Sequence, residues 1–253
     1  MPRALNLKKS LGQHFLKDEQ VCRQIVDSLM QFPFTRLLEI GPGAGALTKY
    51  LVSLKGVDFK AVEVDSEKVA YLKLHYPSLI DRLMEGDFLQ MEIPFEDPFT
   101  IVGNFPYNIS TEILFKILTW RDRVERVTGM FQKEVALRIA AKEGNKIYGV
   151  TSVLLQAFFE VEYLFEVSEA AFLPPPKVKS AVIRLTPRKD PPAVKTEKMF
   201  FLLVKTAFNQ RRKTLRNAVR GLFPAPILKD PLFDQRAEQL TISQFAELTW
   251  RMQ

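Results

Sequence analysis

Arg36-Leu-Leu-Glu-Ile-Gly-Pro-Gly-Ala-Gly-Ala-Leu-Thr48 decides the fold. Arg36–Ile40 is an apolar run of strand length, and the glycines that follow open a helix expected through Ala46–Leu54. A strand, a glycine turn and a helix form the first unit of a doubly wound parallel sheet. Working outward, Phe59–Val64 reads as the second strand, and Ser66 as the N-cap of a helix to about His75. Arg82–Glu85 and Phe99–Val102 read as two more strands. Thr111–Trp120 reads as a helix, with Ile113, Leu114, Ile117 and Leu118 at helical spacing. Arg126–Phe131 is expected as a fifth strand and Gln132–Lys142 as a helix, while Phe158–Phe165 and Ala181–Leu185 close the sheet as an antiparallel pair. The expected class is α/β with a Rossmann-like sheet.

The glycines stand as G-x-G-x-G at Gly41, Gly43 and Gly45, with Glu39 two residues ahead. A dinucleotide site favours G-x-G-x-x-G with a helix N-terminus aimed at a pyrophosphate. A carboxylate at position 39 suits a cationic ligand better. Two further acids end the next strands. Glu63 is placed to accept both ribose hydroxyls of an adenosine, and Asp87, in Glu85-Gly-Asp87-Phe, to accept an adenine amine. Ligands of open α/β sheets bind at the carboxyl ends of strands, so these positions converge on one crevice. The ordered series of strand-end acids favours S-adenosyl-L-methionine over NAD.

The fourth strand runs into Gly103-Asn104-Phe105-Pro106-Tyr107-Asn108. An adenine N6 amine is a poor nucleophile because its lone pair is delocalised into the ring. Two acceptors aimed at that NH₂ favour a more tetrahedral nitrogen, and the Asn104 side-chain oxygen and Phe105 carbonyl are suited to supply them. Pro106 stiffens the loop, and Tyr107 offers a face for an extruded base. Displacement at a sulfonium needs in-line positioning more than a strong base, in keeping with only two histidines in the chain.

The 253 residues carry 36 Lys+Arg against 29 Asp+Glu, a formal +7. That charge is regional. Lys177 to Arg220 holds 13 basic residues against Asp190 and Glu197, a local +11, and the other 209 residues net −4. Such a concentration points to a polyanionic partner. Pro187–Pro192 is a breaker cluster and the expected boundary between a domain of residues 1–187 and a small helical domain of residues 188–253, with helices over 197–209, 213–221 and 241–251. A single cysteine, Cys22, excludes an intrachain disulfide and a cysteine-based zinc site. No uncharged apolar run is long enough to span a bilayer. The first 17 residues are basic and free of acids but lack the apolar core of a secretory signal. A cytoplasmic protein without metal or membrane attachment is expected.

With these motifs in hand, the chain resembles the bacterial small-subunit rRNA adenine dimethyltransferases, the kasugamycin-sensitivity methylase family. The resemblance rests on residues 8–16 (KKSLGQHFL), 39–48 (EIGPGAGALT), 63–65 (EVD), 103–110 (GNFPYNIS) and 130–139 (MFQKEVALRI). It continues through 171–185 (AFLPPPKVKSAVIRL) and 207–217 (AFNQRRKTLRN). It implies a class I methyltransferase sheet followed by a small all-α domain. The implied activity converts two adjacent adenines near the 3′ end of 16S rRNA, in the small ribosomal subunit, to N6,N6-dimethyladenine. Carried over, the cofactor contacts fall on His14, Leu16, Gly41, Glu63, Asp87 and Asn104. The catalytic group falls on Asn104, Phe105, Pro106 and Tyr107, with Phe172 as a second stacking face. His14 stands where the family usually has Asn, and Phe105 where Leu is commoner. Lys177, Lys179, Arg211, Arg212, Lys213 and Arg216 fit phosphate contacts, and a monomer is expected.

Three other readings compete. A relative acting on large-subunit rRNA fits segments 171–185 and 207–217 poorly. A DNA adenine methyltransferase more usually carries D-P-P-Y or N-P-P-Y and a target-recognition domain. A non-catalytic assembly factor need not keep an intact Asn104–Tyr107 loop.

Overall fold

The computed structural model describes residues 14–253. The stretch 8–13 of the N-terminal motif therefore lies outside the described residues, as do Arg3, Lys8 and Lys9. The elements in chain order begin with β1 (Phe15–Leu16), α1 (Glu19–Met30), β2 (Arg36–Ile40), α2 (Thr48–Leu51), β3 (Asp58–Glu63) and α3 (Ser66–His75). Then come β4 (Leu83–Glu85), β5 (Phe99–Asn104), α4 (Ser110–Thr119), β6 (Val124–Gln132), α5 (Lys133–Ala140) and α6 (Val150–Phe158). The remainder are β7 (Phe159–Val167), β8 (Phe172–Leu173), β9 (Ser180–Pro187), α7 (Glu197–Asn209), α8 (Leu215–Ala218) and α9 (Ile242–Thr249).

Seven strands form one sheet in the order β4-β3-β2-β5-β6-β9-β7. From β4 to β6 every pairing is parallel, and β9 runs antiparallel to β6, with Gln132 opposite Ser180 and Val127 opposite Leu185. Leu37, Leu38, Phe99, Ile101 and Val102 are fully buried, as strands covered on both faces require. The order reverses at β2, which has β3 on one side and β5 on the other, so a crevice is expected at the carboxyl ends of β2 and β5. β9 lies between β6 and β7, which places the two expected closing strands side by side.

Two compact units are present: residues up to Ala136 with Glu162–Pro187, and Leu137–Val161 with Arg188–Gln253. The second unit thus takes in Leu137–Val161 ahead of residue 187, including the first three residues of β7. Tyr148 meets Phe208 edge to face, Phe158 lies 6.2 Å from Phe200, and Arg211 bonds back to this segment. In α7 the buried residues Phe200, Leu203, Val204 and Ala207 form one helical stripe. α9 starts at a reciprocal cap: Thr241 Oγ1 accepts from Gln244 N at 3.1 Å, and Gln244 Oε1 accepts from Thr241 N at 2.9 Å. The helix expected over 213–221 is reduced to α8, and the chain continues as short 3₁₀ turns at Arg220–Leu222, Ile227–Lys229 and Pro231–Asp234.

The helix expected over 46–54 is also shorter. The chain leaves the glycines in tight turns, with Gly45 N bonded to Pro42 O at 2.8 Å, and only Thr48–Leu51 is α-helical.

Candidate active site

The glycine turn after β2 opens a crevice of about 1040 Å³, counting the part open to solvent. Gly41, Gly43 and Gly45 take φ of +67°, +58° and +85°. Gly41 and Gly45 show why side chains are excluded. Gly41 turns left-handed while its N–H still donates to Val62 O, and a Cβ on Gly45 would stand 2.7 Å from the Tyr76 ring. Leu16, Gly41, Glu63, Asp87 and Asn104 all line this crevice together with His14.

Glu63 ends β3 and is nearly buried. Its Oε2 accepts from Gly43 N at 3.0 Å and its Oε1 from Asp65 N at 3.0 Å. Two backbone donors fix the carboxylate plane and leave each oxygen a further lone pair. Asp87 is exposed, and its Oδ1 accepts from Leu89 N at 2.9 Å, which stiffens the loop after β4. Glu39 lies deeper on the crevice wall. Burial pushes its carboxyl up to about 8, against the pull of a 2.7 Å hydrogen bond from Thr48 Oγ1, and the Glu63 carboxylate raises it further.

Asn104, Phe105, Pro106 and Tyr107 line the same crevice. Asn104 donates from Nδ2 to His14 O at 3.3 Å, so its oxygen is the opposite end of the amide. His14 Nδ1 donates to Pro174 O at 2.9 Å, and its ring centroid lies 5.6 Å from that of Tyr107. The Tyr107 hydroxyl pairs with Ser180 Oγ, and burial holds the phenol above its ordinary range and therefore neutral. The site thus joins a carboxylate-lined pocket to a loop of hydrogen-bond acceptors and one half-buried aromatic ring.

A family model described as "Ribosomal RNA adenine dimethylase" matches residues 4–252. The chain belongs to that family. It is 53% identical over 246 residues to "Ribosomal RNA small subunit methyltransferase A" of Cytophaga hutchinsonii, covering 96% of this chain and 95% of that one. The protein of the same name from Bacteroides thetaiotaomicron is 53% identical over 96% of this chain and 92% of its own length. Among solved structures, a dimethyladenosine transferase from Plasmodium falciparum superposes with a TM-score of 0.79 at 25% identity, covering 93% of this chain and 96% of that one. The 23S rRNA methyltransferase ErmE superposes at 0.70, also at 25% identity, covering 94% and 99%. The fold is the Rossmann-like methyltransferase sheet, and this member of the adenine dimethylase family is a methyltransferase.

Within that family frame, one expectation needs correction. Phe172 offers no stacking face here. β8 pairs with β1, Leu16 opposite Phe172, and the Phe172 ring is fully buried in the core with Ile25 and Leu29, away from the crevice lining. Arg211 is committed inside its own unit, donating from Nη2 to Lys146 O and Tyr148 O at 2.5 and 2.9 Å. Arg216 likewise donates to Leu228 O at 2.7 Å and pairs with Asp234 at 2.8 Å. Each still leaves 41% of its side-chain surface exposed. Lys177, Lys179, Arg212 and Lys213 are exposed.

One residue behind the crevice wall and one on it escape the sequence reading. Thr48 holds Glu39, and Lys68 is a buried cation on the wall, 3.9 Å from Asp65 and 5.0 Å from the Phe15 ring centroid. Thr48 was within reach as a polar residue starting a helix, whereas Lys68 sits on a helix of weak amphipathicity and carries no such signal. Among the described residues there is no cluster of metal-ligating side chains and no helix long and apolar enough to cross a membrane.

Proposed function

We propose that this chain transfers methyl groups from S-adenosyl-L-methionine to N6 of two adjacent adenines near the 3′ end of 16S rRNA in the small ribosomal subunit, giving N6,N6-dimethyladenine. One observation carries the reading: the carboxylate-lined pocket and the Asn104–Tyr107 acceptor loop share a single crevice. The donor set fits the cofactor. Glu63 has a lone pair on each oxygen for two ribose hydroxyls, Asp87 retains Oδ2 for an adenine amine, and Gly41 permits close backbone approach. His14, Leu16 and Asn104 complete the lining. When bound, S-adenosylmethionine supplies an electrophilic methyl on a sulfonium.

The chain's own residues do the rest by placement. In the first transfer Asn104 Oδ1 and the Phe105 carbonyl accept hydrogen bonds from the two N–H groups of the target amine, which frees its lone pair for in-line attack on the methyl. In the second transfer one N–H remains to be held, and each transfer releases the thioether and one N6 proton to water. Pro106 restricts the loop, and Tyr107 stacks on the extruded base. Lys177, Lys179, Arg212 and Lys213 contact rRNA phosphates. The enzyme acts in the cytoplasm as a monomer. The relatives named for small-subunit rRNA support the substrate assignment.

The test incubates the protein with radiolabelled S-adenosylmethionine and a mixture of under-methylated small subunits, large subunits and DNA. Label is expected in small-subunit rRNA. Label in large-subunit rRNA or in DNA alone overturns the assignment.

A further inference from the structure

The proposed second acceptor is a backbone oxygen, so whatever seats the Phe105 main chain also seats that oxygen. The Phe105 ring is 1% exposed and meets Phe131 edge to face, with centroids 5.0 Å apart. Its two edges rest against two glycines. Gly103 on β5 and Gly129 on β6 stand directly opposite each other in the parallel register. A Cβ on Gly103 would lie 2.5 Å from Phe105 Cε1, and one on Gly129 would lie 2.4 Å from Phe105 Cε2. Neither glycine has a positive φ, so the backbone does not demand glycine at either place. What demands it is space, since glycine inside a strand otherwise weakens the sheet. The ring therefore bridges two strands in a notch that only paired glycines leave open.

The two positions differ in a way that can be used. A Cβ at 103 would also meet Ile40 O at 2.7 Å, which no side-chain change relieves. At 129 the obstacles within 3 Å are ring carbons alone, Phe105 Cε2 and Phe131 Cε2. The next residue, Met130, accepts the Phe105 N–H at 3.2 Å, so β6 holds both the ring and the main chain of Phe105.

We infer that Gly129 is a positioning residue for methyl transfer: with Gly103 it seats the Phe105 ring and so sets the carbonyl presented to the target amine. This inference rests on the acceptor role proposed for Phe105. It makes the side-chain volumes at 105 and 129 interdependent. Alanine at 129 should harm the chain that carries Phe105 more than one that carries Leu at 105, where only the Phe131 ring is left to yield.

The experiment compares wild type, G129A, F105L and F105L/G129A on under-methylated small subunits. G129A is expected to lose kcat on the order of tenfold to a hundredfold, because small displacements of a reacting group have that effect. KM for the subunit and Kd for S-adenosylmethionine should stay within a few-fold of wild type. F105L/G129A should lose much less relative to F105L than G129A loses relative to wild type, because the effect of the 129 substitution depends on the residue at 105. This comparison survives even if G129A alone folds poorly. Crystal structures of the four proteins read the carbonyl position independently of any substrate, with displacement expected in G129A and recovery in the double variant. An unmoved Phe105 carbonyl in G129A, or equal damage by G129A in both backgrounds, overturns the inference. Wild type that leaves small-subunit rRNA unlabelled overturns the substrate reading instead, and the crystal structures still decide the notch.

Discussion

Glu39 is a carboxyl whose burial pushes its pKa up to about 8, well above the 4.5 of an exposed glutamate. Between those values the folded chain holds a proton that the unfolded chain has lost. The group's contribution to stability is therefore greatest at low pH, declines as pH rises through that window, and levels off above about 8. A bound cation favours the ionised form. The affinity for S-adenosylmethionine, measured calorimetrically from pH 6 to 8, should rise with proton release, and Glu39→Gln should flatten that slope. A slope unchanged in the variant would place the titrating group elsewhere. The residue scale was also where the sequence spoke most clearly. Glu63, Asp87 and Asn104 are acids and amides at strand ends, and they do line one crevice. Phe172 was legible only as an aromatic near the site. Its burial depends on a two-residue pairing of β1 with β8, which no local pattern announces.

At the scale of elements, β9 enters the sheet between β6 and β7 and carries Arg184, which is 3% exposed. Its guanidinium donates to Glu162 at 2.8 Å, and to Ser28 O and the Gln31 side chain at 2.7 Å each, and it lies 4.9 Å from the Phe32 ring centroid. Charge-assisted hydrogen bonds of this kind offset the cost of burying a cation. Arg184→Ala should destabilise the fold by roughly 2–4 kcal/mol, read as a lower Tm, with no change in the salt dependence of rRNA binding. Weakened, flatter rRNA binding at unchanged Tm would mean that Arg184 faces the nucleic acid. Elements with a clear period were legible: the α4 and α7 stripes and the strands from β2 to β6 stand within a few residues of expectation. α6 was not, because Val150–Phe158 is a short, mostly apolar run that periodicity alone does not separate from a buried strand. α1 carries its own signal, an Asp18 cap with buried Cys22, Ile25 and Leu29 at helical spacing.

For the whole molecule, the segment at +11 divides into charges that hold the fold and charges that face solvent. Arg184, Arg211 and Arg216 belong to the first group, with Arg188, which donates to Gln156 O at 2.7 Å. Arg212 and Lys213 belong to the second. Charge reversal of Arg212 and Lys213 together should weaken subunit binding and reduce the slope of log K against log salt by about two, while leaving Tm near wild type. Arg211→Ala should do the opposite, lowering Tm with little effect on that slope. Composition located the basic segment but could not sort it, since the carbonyls at 146, 148 and 228 become acceptors only once the chain has folded.

The central claim is that the crevice and the Asn104–Tyr107 loop together convert adenine to N6,N6-dimethyladenine in small-subunit rRNA. Its most direct test is nucleoside mass spectrometry of small-subunit rRNA after incubation with S-adenosylmethionine and either wild type or Asn104→Ala, with subunit binding measured in parallel. The account predicts N6,N6-dimethyladenosine with wild type, and its near absence with a variant that binds the subunit as tightly. A methyl group on any other nucleoside, or an Asn104→Ala variant as active as wild type, would contradict it.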